Sequence, residues 1–305
     1  MTAHVPVLLQ ESVDNLQLES GETFLDGTIG GGGHSSLVAK TFGEKVKIIG
    51  LDRDQRAIER SGERLEKLTK NFCLVNESFR NLDKVLEGLG ISSVDAILLD
   101  LGLSSDQLEE TGKGFSFQRD EPLDMRMSEE GITAADILNT FSEDVLELIL
   151  RGFGEERYSR RIAHEIVERR TSKPFKTTFD LIEVVMSATP ASYHRGRIHP
   201  ATRTFQAIRI AVNEELNALE EGLEKAFEFL RPGGRIAVIS FHSLEDRIVK
   251  NFFKNLALEE KIRLVTNPSK GLRAGKPITP SEEEVSRNPR SRSAKLRVIE
   301  KNRDL

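Results

Sequence analysis

Between Phe24 and His34 the chain reads Phe-Leu-Asp-Gly-Thr-Ile-Gly-Gly-Gly-Gly-His. An apolar stretch that feeds consecutive glycines at 30–33, ahead of a helix-forming segment, lets the backbone approach a ligand closely. A mere connector of that composition loses much backbone entropy on folding, which weighs against a flexible turn. The spacing is not G-x-G-x-x-G, so it departs from a dinucleotide fingerprint. Asp26 stands in the approach to the turn, where a carboxylate repels a pyrophosphate and suits a cationic methionine moiety. Asp52 closes the next apolar run, and an acidic residue there accepts hydrogen bonds from both hydroxyls of a ribose. Asp100 closes another, in Asp95-Ala-Ile-Leu-Leu-Asp-Leu-Gly-Leu-Ser-Ser105, at the end where open α/β sheets hold their ligands. Phe79 follows a third run, and its ring either flanks an adenine by stacking or packs in the core.

The elements that must position these residues follow from periodicity. Short apolar runs at 23–26, 46–51, 72–75 and 94–99 read as strands, with helical patterns at 34–42 and 55–68 between them. Strands alternating with helices imply right-handed crossovers and a parallel sheet. The alternation stops at about residue 104. Helix candidates at 133–139, 143–150, 155–170 and 179–187, punctuated by Pro122, Pro174, Pro190 and Pro200, predict a helical insertion over 105–203. The α/β domain then comprises 1–104 and 204–305. Phe205, Ile208, Val212, Leu216, Leu219, Leu223, Phe227 and Leu230 form one apolar stripe, which predicts a single long helix ended by Arg231-Pro-Gly-Gly. Strands are expected at 235–240, 261–265 and 295–300, and a helix at 244–253.

Bulk properties narrow the class. Apolar residues make up 38% of 305, enough for a sizeable core. The single cysteine, Cys73, excludes a disulfide framework and a cysteine-based zinc site, and fits a reducing cytosol. The first ten residues carry no signal peptide pattern, and no membrane span is evident. The formal charge of −5 conceals an asymmetry: residues 151–214 hold 12 Lys and Arg against 7 Asp and Glu, and residues 261–305 hold 12 against 5. Such segments either bind a polyanion or solvate helices.

The strand after Pro-Gly-Gly completes a pattern typical of class I methyltransferases. The chain as a whole resembles the bacterial 16S ribosomal RNA cytosine-N4 methyltransferase family, from His4-Val-Pro-Val-Leu-Leu to Asn288-Pro-Arg-Ser-Arg-Ser-Ala-Lys-Leu-Arg297. The distinctive segments between are Asp100-Leu-Gly-Leu-Ser-Ser105, Gly114-Phe-Ser-Phe, Pro122-Leu-Asp-Met-Arg-Met127, His199-Pro-Ala-Thr-Arg-Thr-Phe-Gln-Ala-Ile-Arg209 and Ser240-Phe-His-Ser-Leu-Glu-Asp-Arg-Ile-Val-Lys250. The resemblance implies a Rossmann-like class I methyltransferase domain with an inserted all-helical domain. It implies S-adenosylmethionine as cofactor, with contacts at Gly32, Gly33, His34, Asp52, Phe79, Asp100 and Gln107. The implied substrate is the exocyclic N4 of a cytosine, expected at 1402, in the decoding region of 16S rRNA within the small ribosomal subunit. The implied enzyme is cytoplasmic. The histidine spacing itself offers no metal-ligand cluster, no membrane partner is expected, and a homodimer stays open.

The chemistry itself is less legible. The lone pair of N4 is delocalised into the ring, so an enzyme helps by in-line positioning and by acceptors for the amine hydrogens. The polar-Pro-Pro-aromatic motif common in amino-methyltransferases is replaced here by Asp100-Leu-Gly-Leu. Carbon-5 chemistry needs a thiolate, and Cys73 reads as a core residue. Asp124 is a candidate acceptor near the base, or a loop Asp paired with Arg126 or Arg119. His242 either positions the base or caps the next helix. Gln206, Arg209 and Asn213 share a polar helix stripe. With Arg195, Arg197, His199, Arg203, the Arg157–His164 cluster and the C-terminal Arg287, Arg290, Arg292 and Lys295, they are candidate phosphate contacts. Two other classes compete: an NAD-dependent oxidoreductase, against which the glycine spacing and Asp26 argue, and an RNA-binding ribosome assembly factor with a non-catalytic cofactor pocket. A methyltransferase of small molecules or DNA is a third.

Overall fold

The computed structural model describes residues 6–102, 112–265 and 275–304. They fall into two compact units, one of Met1–Gly102 with Leu216–Leu305, the other Leu103–Glu215.

In the first unit the apolar runs become the strands β1 (Thr23–Asp26), β2 (Lys47–Asp52), β3 (Phe72–Asn76), β4 (Val94–Asp100), β5 (Leu230–Ser240), β6 (Ile262–Leu264) and β7 (Lys295–Lys301). They form one sheet in the order β3-β2-β1-β4-β5-β7-β6, parallel through β5, with β7 antiparallel to both of its neighbours. This is the Rossmann-like α/β arrangement that the sequence predicts. Successive side chains alternate between two buried faces. Leu25, Ile49, Leu51, Ile97, Leu99, Ile236 and Val238 pack on one, and Phe24, Ile48, Ala96, Leu98, Ala237 and Ile239 on the other. Burial on both faces explains why these strands read as unbroken apolar runs. Helices α1 (Leu9–Leu16), α2 (Gly33–Phe42), α3 (Gln55–Leu65) and α4 (Leu82–Gly88) supply part of the covering.

The described residues of the second unit are mainly helical: α5 (Ala134–Thr140), α6 (Glu143–Gly154), α7 (Ser159–Ser172), α8 (Thr178–Ala188), α9 (Ala191–His194) and α10 (Thr202–Asn213). Capping boxes start α5 at Thr133 with Asp136, and α8 at Thr177 with Asp180. Leu146, Leu150, Ile162, Ile166, Val185, Phe205 and Ile208 form its core. Helices α6 and α10 meet closely at Gly154, where an added Cβ would lie 2.6 Å from the Arg203 carbonyl oxygen.

The single long helix does not form. Glu214 adopts a left-handed conformation, φ 50°, and separates α10 from α11 (Glu215–Phe229). The apolar stripe passes through the break unchanged because Phe205 and Ile208 serve one core while Leu219 and Leu223 serve another. Arg231-Pro-Gly-Gly does not follow the helix as a separate breaker either. It forms an irregularity within β5, where the pairing jumps from Val94–Leu230 to Ala96–Arg235. Helix α12 (Ser243–Leu258) follows β5, and α13 (Glu282–Arg287) precedes β7. Among the described residues no helix is long and apolar enough to cross a membrane.

Candidate functional site

Asp26, Asp52, Asn76 and Asp100 are the last residues of β1, β2, β3 and β4. Parallel pairing brings all four to one edge of the sheet. The strand order reverses between β1 and β4, which opens a crevice outside their carboxyl ends.

The glycine turn is built against these carboxylates. Gly30 and Gly32 hold φ of 50° and 71°, the left-handed region that glycine enters without steric cost. The Gly30 N–H donates to Asp52 Oδ2 at 2.9 Å, and the Asp54 N–H to Asp52 Oδ1 at 2.9 Å. A Cβ on Gly33 would lie 2.1 Å from Pro6 Cγ, so this position must stay bare for the N-terminal segment to cross. His34 follows. Its Nε2 lies 3.2 Å from the Val7 carbonyl oxygen, an acceptor only, so Nε2 carries the proton. Its Nδ1 then faces Asp100 Oδ2 at 3.7 Å.

The three acids share an electrostatic predicament. Burial pushes Asp26 up to about 6, against the pull of the Ser35 hydroxyl, which donates to it at 2.6 Å. Burial likewise pushes Asp52 up to about 6, against the N–H groups of Asp54 and Gly30. Asp100 is held well above the usual carboxylate range, first by burial, then by the charges of Asp26 and Glu245. Its amide N–H donates to Thr28 Oγ1 at 2.6 Å, and its buried Oδ1 has no hydrogen-bond partner among the described residues. Buried carboxylates held above their usual range fit a ligand that brings positive charge.

Phe79 lies beside this edge, half-buried, with its ring against α11: a Cβ on Gly222 would lie 2.4 Å from Phe79 Cδ2. Gln107 lies outside the described residues. His242 caps α12. The Glu245 N–H donates to its Nδ1 at 3.4 Å, while Glu245 Oε2 accepts from the His242 and Phe241 N–H groups. Asp124 belongs to the helical unit, where both carboxylate oxygens are taken by Arg126 through Nε and Nη2, each at 2.8 Å. Of the two sequence readings for Asp124, the ion pair is the one the structure realises, and it holds the carboxyl below its ordinary range.

The polar stripe of α10 makes hydrogen bonds within the helical unit. Gln206 donates to the Phe153 carbonyl at 3.1 Å, and Arg209 is paired through two nitrogens with Glu215. Asn213 is buried and bridges Met125 and Met127. These side chains complete the helical unit's own hydrogen bonding, which helical spacing cannot distinguish from an outward face. Sequence reading also missed Thr28, Ser35 and Glu245. Only Glu245 had a signal, the capping spacing His242-Ser-Leu-Glu245 with histidine in the cap position.

A Rossmann-like sheet with a reversed strand beside β5, a glycine turn and strand-end carboxylates defines the class as a methyltransferase that uses S-adenosylmethionine. The family model described as MraW methylase matches residues 1–302. Ribosomal RNA small subunit methyltransferase H of Carboxydothermus hydrogenoformans is 48% identical over 315 residues, covering 98% of each chain. Its counterpart from Heliobacterium mobile is 47% identical, again covering 98% of each. A solved rRNA methylase from Streptococcus thermophilus aligns over 98% of this chain and 99% of its own, with TM-score 0.47 and 13% identity. The chain belongs to the MraW methylase family.

Proposed function

We propose that this protein transfers the methyl group of S-adenosylmethionine to the exocyclic N4 of a cytosine, position 1402, in the decoding region of 16S rRNA, acting in the cytoplasm on the small ribosomal subunit. The observation that carries the cofactor site is the buried Oδ1 of Asp100 beside the glycine turn, which has no hydrogen-bond partner among the described residues. An orphaned acceptor among like-charged carboxylates fits a ligand that brings positive charge and N–H donors. Asp52 fits the ribose, since each of its oxygens has accepted one backbone N–H and retains a lone pair. Gly32, Gly33 and His34 line the turn, Phe79 offers a ring to the adenine, and Gln107 belongs to the same set. When bound, S-adenosylmethionine supplies an electrophilic methyl group on a sulfonium.

The rRNA substrate is supported by the names of the relatives and by the motifs shared with the cytosine-N4 family. Amine methylation is favoured over carbon-5 chemistry because the only cysteine of the chain, Cys73, lies within β3 among side chains of the sheet. At the site, His242 and Glu245 fix the exit of β5 next to Asp100, and Asp100 offers an acceptor to groups that gain positive charge. The target base must leave its stack to reach such a site. The test is methyl transfer from labelled S-adenosylmethionine to unmodified small subunits, followed by nucleoside mass analysis. N4-methylcytidine is expected. A different methylated nucleoside, or no transfer by protein that binds the cofactor, overturns the assignment.

A further inference from the structure

The helical unit carries an aromatic and cationic surface for which the methyl-transfer chemistry has no use. Phe117 and His199 stack with centroids 4.7 Å apart and planes 17° from parallel. Phe205, buried in the core of the unit, meets Phe117 edge-on at 5.5 Å and so holds it in place. His199 itself is exposed. The Ala201 N–H donates to its Nδ1 at 3.2 Å, which orients the ring and leaves the proton on Nε2. Partial burial and the neighbouring His194 hold its pKa below the ordinary value, which favours the uncharged ring. Arg195 and Arg197 are exposed in the same segment, with Ile198 50% exposed between them and His199. Beside them the Arg157 guanidinium lies 4.8 Å from the ring centroids of both Tyr158 and Tyr193. Tyr193 is anchored by donating its hydroxyl to buried Glu156 at 2.7 Å.

An exposed imidazole held flat on an anchored phenyl ring, next to arginines that no described group engages, has the make-up of a base-stacking platform. Neutral π-faces take any base, and the neighbouring guanidinium groups take phosphates. Duplex RNA cannot use such a ledge, because its bases are already stacked on both faces. We propose that this surface binds unpaired RNA, with one unstacked base on the His199–Phe117 ledge and the flanking phosphates at Arg195 and Arg197. The proposal rests on the rRNA reading above and assigns the helical unit the recognition of a single-stranded segment of that substrate.

The probe is a set of single-stranded RNA oligonucleotides of decoding-region sequence, each with 2-aminopurine at one position, whose fluorescence is quenched on stacking. Wild-type protein is expected to quench at least one position. His199→Ala removes that quenching and weakens binding roughly tenfold, within the range for loss of one base–aromatic stack, and His199→Tyr restores both. In methyl transfer to the small subunit, His199→Ala raises KM by a similar factor with kcat retained. Unchanged quenching and affinity in His199→Ala, no recovery in His199→Tyr, or equal affinity for duplex RNA each overturns the ledge. Affinity for RNA-free ribosomal proteins with none for RNA overturns it as well. Protein that shows His199-dependent quenching but transfers no methyl group supports the ledge while removing the functional reading. Protein that methylates normally with or without His199 does the reverse.

Discussion

Replacing Asp26 with asparagine tests the electrostatics of the site. In the folded protein burial raises this carboxyl from its ordinary 3.8 to about 6. The folded state therefore binds the proton more tightly than the unfolded chain, and the associated stability is complete below pH ~4 and is lost as pH rises through ~6. A shift of that size corresponds to about 3 kcal/mol when both states are ionised. The substituted amide would be neutral throughout. Its carbonyl can still accept from the Thr28 N–H, and its NH2 group can donate to Ser35 Oγ, so the two native contacts of Asp26 are preserved in outline. Ligand-free Asp26→Asn should be more stable than wild type at pH 8 by up to about 3 kcal/mol, and the advantage should shrink by about 1.4 kcal/mol at pH 5. Asp52, similarly raised, is present in both proteins, and its charge is the smallest of the causes acting on Asp26, so it alters the gap little. Urea unfolding at the two pH values, with unchanged m-value, measures the gap. A gap that does not widen with pH, or a variant less stable at pH 8, would refute the reasoning.

Other perturbations separate structural from chemical roles. Affinity for S-adenosylmethionine should fall as pH drops below about 6, where Asp26 and Asp52 take up protons, and affinity for adenosine, which keeps the ribose contact with Asp52 but lacks the positive charge, should fall less; calorimetry across pH 5–8 reads both. Asp124→Ala leaves the half-buried Arg126 without its two-point partner and should cost about 1–3 kcal/mol with cofactor affinity intact, seen by paired melting and binding measurements. His242→Ala should cost about 1 kcal/mol through the lost helix cap, and His242→Asn should recover both stability and kcat if the residue acts through the cap. Gly33→Ala pushes a methyl group into Pro6 and should destabilise by about 1–3 kcal/mol, with weaker cofactor binding because Val7 anchors His34.

Much of the site was readable along the chain because it is local. A strand buried on both faces must be apolar, and a polar residue at its end marks where it meets solvent or ligand. Asp26, Asp52 and Asp100 stand out for that reason, as do the glycines that permit left-handed turns at 30 and 32. Helices of the insertion were visible through their patterning and the prolines between them, since both signals span only a few residues, and the capping boxes at Thr133 and Thr177 are equally local.

What the chain could not disclose depends on who meets whom. Residue spacing carries no record of hydrogen bonds between distant strands, so the insertion of β7 between β5 and β6 became evident only in the folded sheet. One residue with positive φ, Glu214, divides a continuous apolar stripe, because hydrophobicity reports that a side chain is buried and not which core buries it. The same limit hid the inward turn of Gln206 and Asn213 and the capture of Asp124 by Arg126. Composition and pattern determined the class of fold and the identity of the strand-end acids. Tertiary structure alone decided their charge state, because a pKa depends on burial and on neighbours such as Glu245 that the chain brings to Asp100 only when it folds.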